Sequence, residues 1–178
     1  MKIDKRLKTR DALVMLNDYP ELFREIGNQL KVEPYDRITF GQRADLSGLE
    51  NIRDLVLQPW QVIRQTSDKE LLDKPFLDVF AFSYSVIAYL EAADKRDKST
   101  FNYKPSALEV QAGFNQLSGG MFTTLDRIAT RMHRTHDDVL GMLDILVYSI
   151  LKADYEATMY NRRLNELAQK QNKANDNN

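Results

Sequence analysis

The chain has 178 residues, with 25 Lys+Arg against 26 Asp+Glu, 43% hydrophobic residues, 10% aromatics and no cysteine. That size and apolar content fit one domain with a real core. The missing cysteines exclude a disulfide framework, a thiolate nucleophile and any cysteine-ligated zinc or iron–sulfur centre. Charge is balanced by region: seven basic and five acidic groups over residues 1–31, ten and thirteen over 32–120, and eight of each over 121–178. No domain-scale basic field is there to hold nucleic acid by its phosphates. The most apolar charge-free run, Val79 to Leu90, has 12 residues, against the ~20 of a membrane span. Met1 to Arg6 is basic, but no apolar segment follows it. Neither a membrane association nor a secretory signal is expected, and the protein reads as soluble and made in a reducing compartment.

The first segment is basic. Lys2, Lys5, Arg6, Lys8 and Arg10 stand against Asp4, so residues 2–10 are the one stretch with a charge match to nucleic acid or an acidic partner; the plainer reading is a solvated helix end. Leu7, Val14 and Leu16 predict a helix over 4–16, interrupted by Asn17-Asp18-Tyr19-Pro20. Asp18 with Glu21 resembles a capping box, and Leu22, Phe23, Ile26 and Leu30 follow at helical spacing, which predicts a helix over 20–31. Pro34 breaks it. Residues 1–35 therefore read as an N-terminal helical arm ahead of a helical domain over 36–168. Only Arg37-Ile38-Thr39-Phe40 looks β-like, and four residues cannot make a sheet alone.

Ser47 with Glu50 predicts a helix over 48–65, with Pro59 kinking or splitting it near Gln58. Ser67 with Glu70 repeats the device for 68–74, and Pro75 opens a longer helix over 75–96. Asp94 to Thr100 reads as a solvated end and loop. Residues 101–120 are the least regular, with Pro105, Gly113 and Gly119-Gly120, although Ala107 to Ala112 could form a short helix. Thr123 with Asp126 caps a helix over 123–133, and after a turn at His133-Arg134 a second box, Thr135 with Asp138, starts the last one.

That last helix is predicted over 136–168, about 50 Å long. Val139, Leu143, Leu146, Ile150, Ala153, Ala157, Tyr160, Leu164 and Leu167 recur at alternating steps of four and three, the 3.5-residue period of a coiled-coil seam. The half through Ile150 is expected to pack on the domain. The other half, Ala157, Tyr160, Leu164 and Leu167, is expected to project and form a protein–protein interface, with Ala153 and Ala157 allowing close approach. Residues 169–178, with nothing apolar beyond one alanine, are expected to be a disordered polar tail. The fold class is all-α: a compact helical domain, a long C-terminal coiled-coil-like helix and that tail.

Motifs for chemistry are absent. His133 and His136 lie three apart before Asp137 and Asp138, but the turn separates the rings, and an acidic first helical turn is explained by the macrodipole. Leu117-Ser118-Gly119-Gly120 lacks the G-K-[ST] of a phosphate cradle and reads as a turn. No catalytic, cofactor-binding or metal residue stands out, no cofactor or small-molecule substrate is expected, and the chain reads as a non-enzyme. Leu125 to Val139 has the spacing of a DNA-binding helix-turn-helix, supported by Arg127, Arg131 and Arg134. Against that, the second helix would present His136, Asp137 and Asp138 to a polyanion, so a DNA-binding regulator is the weaker alternative.

Two stretches carry a resemblance. Ile38-Thr39-Phe40-Gly41-Gln42-Arg43-Ala44-Asp45-Leu46 resembles an I-T-x-G-Q-x-x-D-L segment of small proteins of tailed bacteriophages. The block from Thr124 through Val139 to Arg162-Arg163-Leu164 is similar to helical pairs in phage tail-assembly chaperones and related small proteins of tail and head–tail connector gene clusters. The resemblance implies a non-enzymatic phage assembly or virion protein. The long seam helix and extra N-terminal helices depart from the chaperone pattern and favour a subunit that stays in the virion, in a ring or collar at the head–tail junction or in the tail. Its expected partners are copies of itself and other phage structural proteins, in the virion and, during assembly, in the host cytoplasm; a tail-assembly chaperone is the other reading.

Overall fold

Among the residues described by the computed structural model, 4–113 and 119–175, the chain forms ten helices and no strand, so it is all-α. In order these are α1 (Thr9–Asp18), α2 (Glu21–Leu30), α3 (Phe40–Asp45), α4 (Ile52–Arg64), α5 (Asp68–Asp73), α6 (Phe76–Thr100), α7 (Ala107–Gln111), α8 (Met121–Met132), α9 (His136–Leu140) and α10 (Asp144–Asn175).

Helix α6 is central because it is apolar around most of its circumference, as a helix covered on several sides must be. Phe76, Val79, Phe80 and Ile87 face a first cluster, built with Ala12, Leu13 and Leu16 of α1, Phe23 and Ile26 of α2, Val56 and Leu57 of α4, and Leu71 of α5. Val86, Tyr89 and Ala93 face a second, with Ile38 and Leu46. A third joins Leu125, Ile128 and Ala129 of α8 to Val139 of α9 and Val147 of α10. By length and composition alone α6 would also suffice to cross a membrane, which the 12-residue charge-free run understated; here its apolar side chains build the core.

Helices α1 and α2 are part of that core, not an arm. The Thr9 N–H bonds the Lys74 carbonyl at 3.0 Å and the Phe76 N–H bonds the Leu7 carbonyl at 2.8 Å, fastening the start of the chain to the α5–α6 junction. Lys8 and Arg10 both pair with Asp73, so part of the basic charge of residues 2–10 is met within the molecule. Helix α2 crosses α6 at Gly27, where an added Cβ would clash with the ring carbons of Tyr84.

Several helix starts differ from expectation through local competition. Asp18 ends α1, and α2 starts after Pro20 with no side-chain cap. The Ser47 hydroxyl turns back to the Ala44 carbonyl at 2.7 Å, and Asn51 caps α4 by accepting the Asp54 N–H at 2.9 Å. Pro59 sits buried inside an unsplit α4, while the Ser83 hydroxyl of α6 donates to the Val56 carbonyl at 2.6 Å. Helix α8 starts at Met121 after Gly120, which places Thr123 inside it. Leu117 and Ser118 of the expected glycine turn lie outside the described residues. Ser67 and Thr135 cap α5 and α9 as their spacing predicts.

The largest difference is in the last helix. The expected single helix over 136–168 is two, α9 and α10, separated at residues 141–143. There Leu143 forms an isolated antiparallel bridge with Thr39; the Phe40 N–H bonds the Met142 carbonyl at 2.8 Å and the Asp144 N–H bonds the Ile38 carbonyl at 2.9 Å. The extended backbone signalled by Arg37-Ile38-Thr39-Phe40 is used for this one bridge. Helix α10 then runs 32 residues, about 48 Å, to Asn175. Residues 169–175, expected to be disordered, are helical: their Gln, Lys and Ala are adequate helix formers that extend a helix already nucleated. Residues 176–178 lie outside the described residues.

Candidate protein–protein interface

The first residue of α10 fixes its position. Asp144 is buried, its side chain 2% exposed, a placement a carboxylate tolerates only when paired and hydrogen-bonded. It accepts from Arg43 Nη1 at 3.1 Å, Arg96 Nη2 at 3.2 Å and the Tyr89 hydroxyl at 2.8 Å. Arg43 also reaches Asp97 at 2.7 Å and Asp94 at 2.8 Å, and Arg96 bonds Asp97 at 2.9 Å and lies 3.9 Å over the Tyr148 ring. Burial alone would lower the Arg43 and Arg96 guanidiniums; hydrogen bonds to these aspartates outweigh it and hold both above the ordinary arginine value. Burial, then the hydrogen bond to Asp144, pushes the Tyr89 hydroxyl up to about 12. The network binds α3, α6 and α10 at one point.

Further along, the connector after α6 straps one side of α10. Phe101 packs edge-on against Tyr148 and Tyr155, at 6.0 and 5.5 Å between ring centres. Arg162 forks onto Glu109 at 2.8 and 2.9 Å and lies 4.6 Å over the Tyr103 ring, a bidentate pairing only arginine can make. On the flank, Asp154 pairs with Arg131 and, at 3.1 Å, with Arg127 of α8.

These contacts set the phase of α10. The face toward the body is Asp144, Val147, Tyr148, Leu151, Tyr155 and Arg162, one step around the helix from the predicted seam. The expectation that the seam packs on the domain through Ile150 is therefore corrected. Val139 is buried and Ile150 packs partly on the third cluster, but Leu143 and Leu146 are 44% and 49% exposed. The polar members of the inner face, each satisfied by a partner elsewhere in the chain, hid it from an apolar count. Ala153 and Ala157 are exposed, as are Tyr160, Leu164 and Leu167 at 60%, 52% and 58%. Ala157, Tyr160, Leu164 and Leu167 thus lie on one apolar stripe that begins at Leu143 and continues past Arg162. Scattered exposed leucines need no explanation, whereas a stripe held at heptad spacing marks a contact surface.

The other sequence candidates are separated. His133 ends α8 in the left-handed conformation (φ 51°), whereas His136 opens α9, facing Asp126 at 3.4 Å and the Phe122 ring. Among the described residues no group of three or more His, Asp or Glu is arranged to hold a metal ion. Helix α9 has five residues, with Asp137 and Asp138 in its first turn. Thr135 donates both its N–H, at 3.0 Å, and its hydroxyl, at 2.9 Å, to Asp138, and these bonds lower the Asp138 carboxyl below its usual range. Sequence reasoning missed the Asp144 network and the Arg162–Glu109 fork; a lone acid between Leu143 and Ile145 was the one local signal.

The segment at 38–46 has structural tasks at most of its positions. Ile38 and Leu46 are buried, Thr39 and Gln42 form a reciprocal capping box, and Arg43 enters the Asp144 network. At Gly41 a Cβ would lie 3.2 Å from the Leu140 carbonyl oxygen, so the missing side chain permits close passage of α9. Comparisons with protein-family models, with curated proteins and with solved structures find no match to this chain.

Proposed function

We propose that this protein is a non-enzymatic structural subunit of a tailed-bacteriophage virion, in a ring or collar at the head–tail junction or in the tail. It acts through helix-mediated contacts with copies of itself and with other virion proteins. The observation that carries the assembly role is the exposed stripe of α10, borne on a helix whose root is locked by Asp144. An apolar surface on a rigidly placed helix loses little conformational freedom when it docks. The phage assignment rests on the resemblance of residues 38–46 and of the block from Thr124 to Leu164.

Two features favour assembly over a helix-turn-helix regulator. Helix α9 is a single short turn with an acidic start, and Arg127 and Arg131 are engaged with Asp154. Mass spectrometry of purified virions tests the proposal: a virion subunit is present at stoichiometric abundance. Presence in the assembling lysate but absence from the finished particle would make it a tail-assembly chaperone instead. A salt-dependent shift of duplex DNA by the purified protein would revive the regulator.

A further inference from the structure

The stripe on α10 has a steric and charge pattern that selects its own partner. Seven core positions beyond the root, Leu146, Ile150, Ala153, Ala157, Tyr160, Leu164 and Leu167, form two alternating columns of a heptad. They are flanked on one side by Ser149, Glu156, Arg163 and Lys170, and on the other by Val147, Asp154, Asn161 and Ala168. Glu156 and Arg163 are exposed. Arg163 has no ion pair among the described residues, and Glu156 meets only Lys152 of its own helix, at 3.8 Å.

Resting on the reading of this stripe as an interface, we propose that its occupant is a second copy of this chain. The two α10 helices run antiparallel and cross between Met159 and Thr158. In that register Ala157 faces Tyr160 of the other copy, Ala153 faces Leu164, and Ile150 faces Leu167, each pair occurring twice by symmetry. Every alanine meets a large side chain, the alternation a filled seam requires. Glu156 lies beside Arg163 of the other copy, again twice, and Asp154 lies beside Asn161. Antiparallel axes also oppose the two helix dipoles favourably.

The competing arrangements are worse on the same residues. A parallel, in-register pair sets Ala153 against Ala153 and Ala157 against Ala157, two adjacent layers with too little volume to fill the seam. Sliding the antiparallel pair back one heptad sets Ala153 against Ala157 and Glu156 against Glu156. Sliding it forward one heptad sets Arg163 against Arg163. Like charges directly apposed disfavour both slips, so the flanking charges pin the register that the core volumes prefer. The strap from Phe101 to Glu109 and the Asp144 network hold α10 by other faces, and α8 covers only the flank at Val147 and Asp154, which leaves the columns from Ala153 to Leu167 exposed.

The test uses the full chain, whose lack of cysteine makes it a clean background for cross-linking. Ala153→Cys and Leu164→Cys are made separately and oxidised with diamide, alone and mixed. The expected result is a disulfide-linked dimer in the mixture and none in either variant alone. In the mixture the thiol at position 153 of one copy would lie opposite the thiol at position 164 of the other. Like positions would be eleven residues apart along the helix, roughly 16 Å, far beyond disulfide reach. Charge reversal gives a second readout that leaves the seam intact. E156R and R163E should each weaken the dimer by about tenfold in sedimentation, and the double swap should restore it. Self-cross-linking of the single variants overturns the antiparallel arrangement. A monomer at all concentrations, with no cross-link in the mixture, overturns the second copy as occupant. The interface reading then stands or falls separately, on whether E156R or L164D chains are lost from assembled particles.

Discussion

The Tyr89 hydroxyl donates to the buried Asp144 carboxylate at 2.8 Å, joining the middle of α6 to the first residue of α10 across 55 positions of sequence. Removing that donor leaves a buried carboxylate oxygen with one fewer partner. Tyr89→Phe should cost ~1.5–3 kcal/mol, the range for hydrogen bonds to charged groups, read by chemical denaturation at pH 7. The difference should also depend on pH. The folded hydroxyl titrates at about 12, above the ordinary tyrosine value of about 10. Its contribution is therefore fully present below about pH 10 and is lost as pH rises toward 12, because the unfolded chain ionises first. The gap between wild type and Tyr89→Phe should close over that interval; a constant gap would mean the hydroxyl does not feel Asp144.

Gly27→Ala tests the α2–α6 crossing. In a bare helix alanine gains about 0.5–1 kcal/mol over glycine. Here the new methyl would enter the space of the Tyr84 ring, and overpacking costs ~1–3 kcal/mol. The variant should be less stable than wild type, and trimming the ring with Tyr84→Ala should make the two changes strongly non-additive. A simple stabilisation by Gly27→Ala would show that the ring sits elsewhere.

Leu164→Asp with Leu167→Asp separates association from folding. Both leucines are exposed and belong to no core cluster, so the melting temperature should stay close to wild type, as surface changes usually cost within ~0.5 kcal/mol. Association should fall by several kcal/mol, since each buried leucine is worth ~1.5–3 kcal/mol. Light scattering and thermal melting on the same samples decide it. If the variant melts like a core mutant, the stripe is an internal surface.

The capping box of α9 gives an acid-side signature. Thr135→Ala removes the hydroxyl from both of its bonds with Asp138, and loss of an N-cap typically costs about 1 kcal/mol. Because the folded Asp138 carboxyl titrates below its ordinary value of 3.8, its contribution is present above that value and lost as pH falls through the lower folded one. Wild type should therefore destabilise more steeply than Thr135→Ala as pH drops below about 4. Parallel acid limbs for the two proteins would mean that the Thr135 N–H, which alanine keeps, lowers the Asp138 carboxyl without help from the hydroxyl.

The elements legible in the sequence were those whose signal is local. Ser67 and Thr135 each find a partner three residues on, and no nearer residue competes. Ser47 has the same spacing to Glu50, yet Asn51 lies closer to the apolar run and takes the cap. The break between α9 and α10 was illegible because the four-residue step from Val139 to Leu143 survives it; hydrophobic spacing continues while the backbone leaves the helix to bridge Thr39. The outer stripe of α10 could be read as a period but not assigned to a side. What decides its side is Asp144, Tyr148, Tyr155 and Arg162, whose partners lie between 43 and 109. Contacts over such separations leave no periodic trace.

The position of Asp144 in the chain also sets an order of events during synthesis. Arg43 precedes it by 101 residues and Arg96 by 48; at ~5–20 residues per second, Arg43 leaves the ribosome roughly 5–20 s before its buried counter-charge. The first cluster draws only on residues up to Ile87 and can consolidate in that time. The second contains Ile38, Leu46 and Tyr89 beside two guanidiniums that Asp94 and Asp97 can engage at once, whereas their buried partner Asp144 comes later. The helix carrying the apolar stripe is thus the last to dock, and its docking completes the hydrogen-bond network of the neighbouring layer. A nascent chain therefore cannot fix the direction of the stripe until residue 144 has emerged and found the two arginines and the tyrosine made before it.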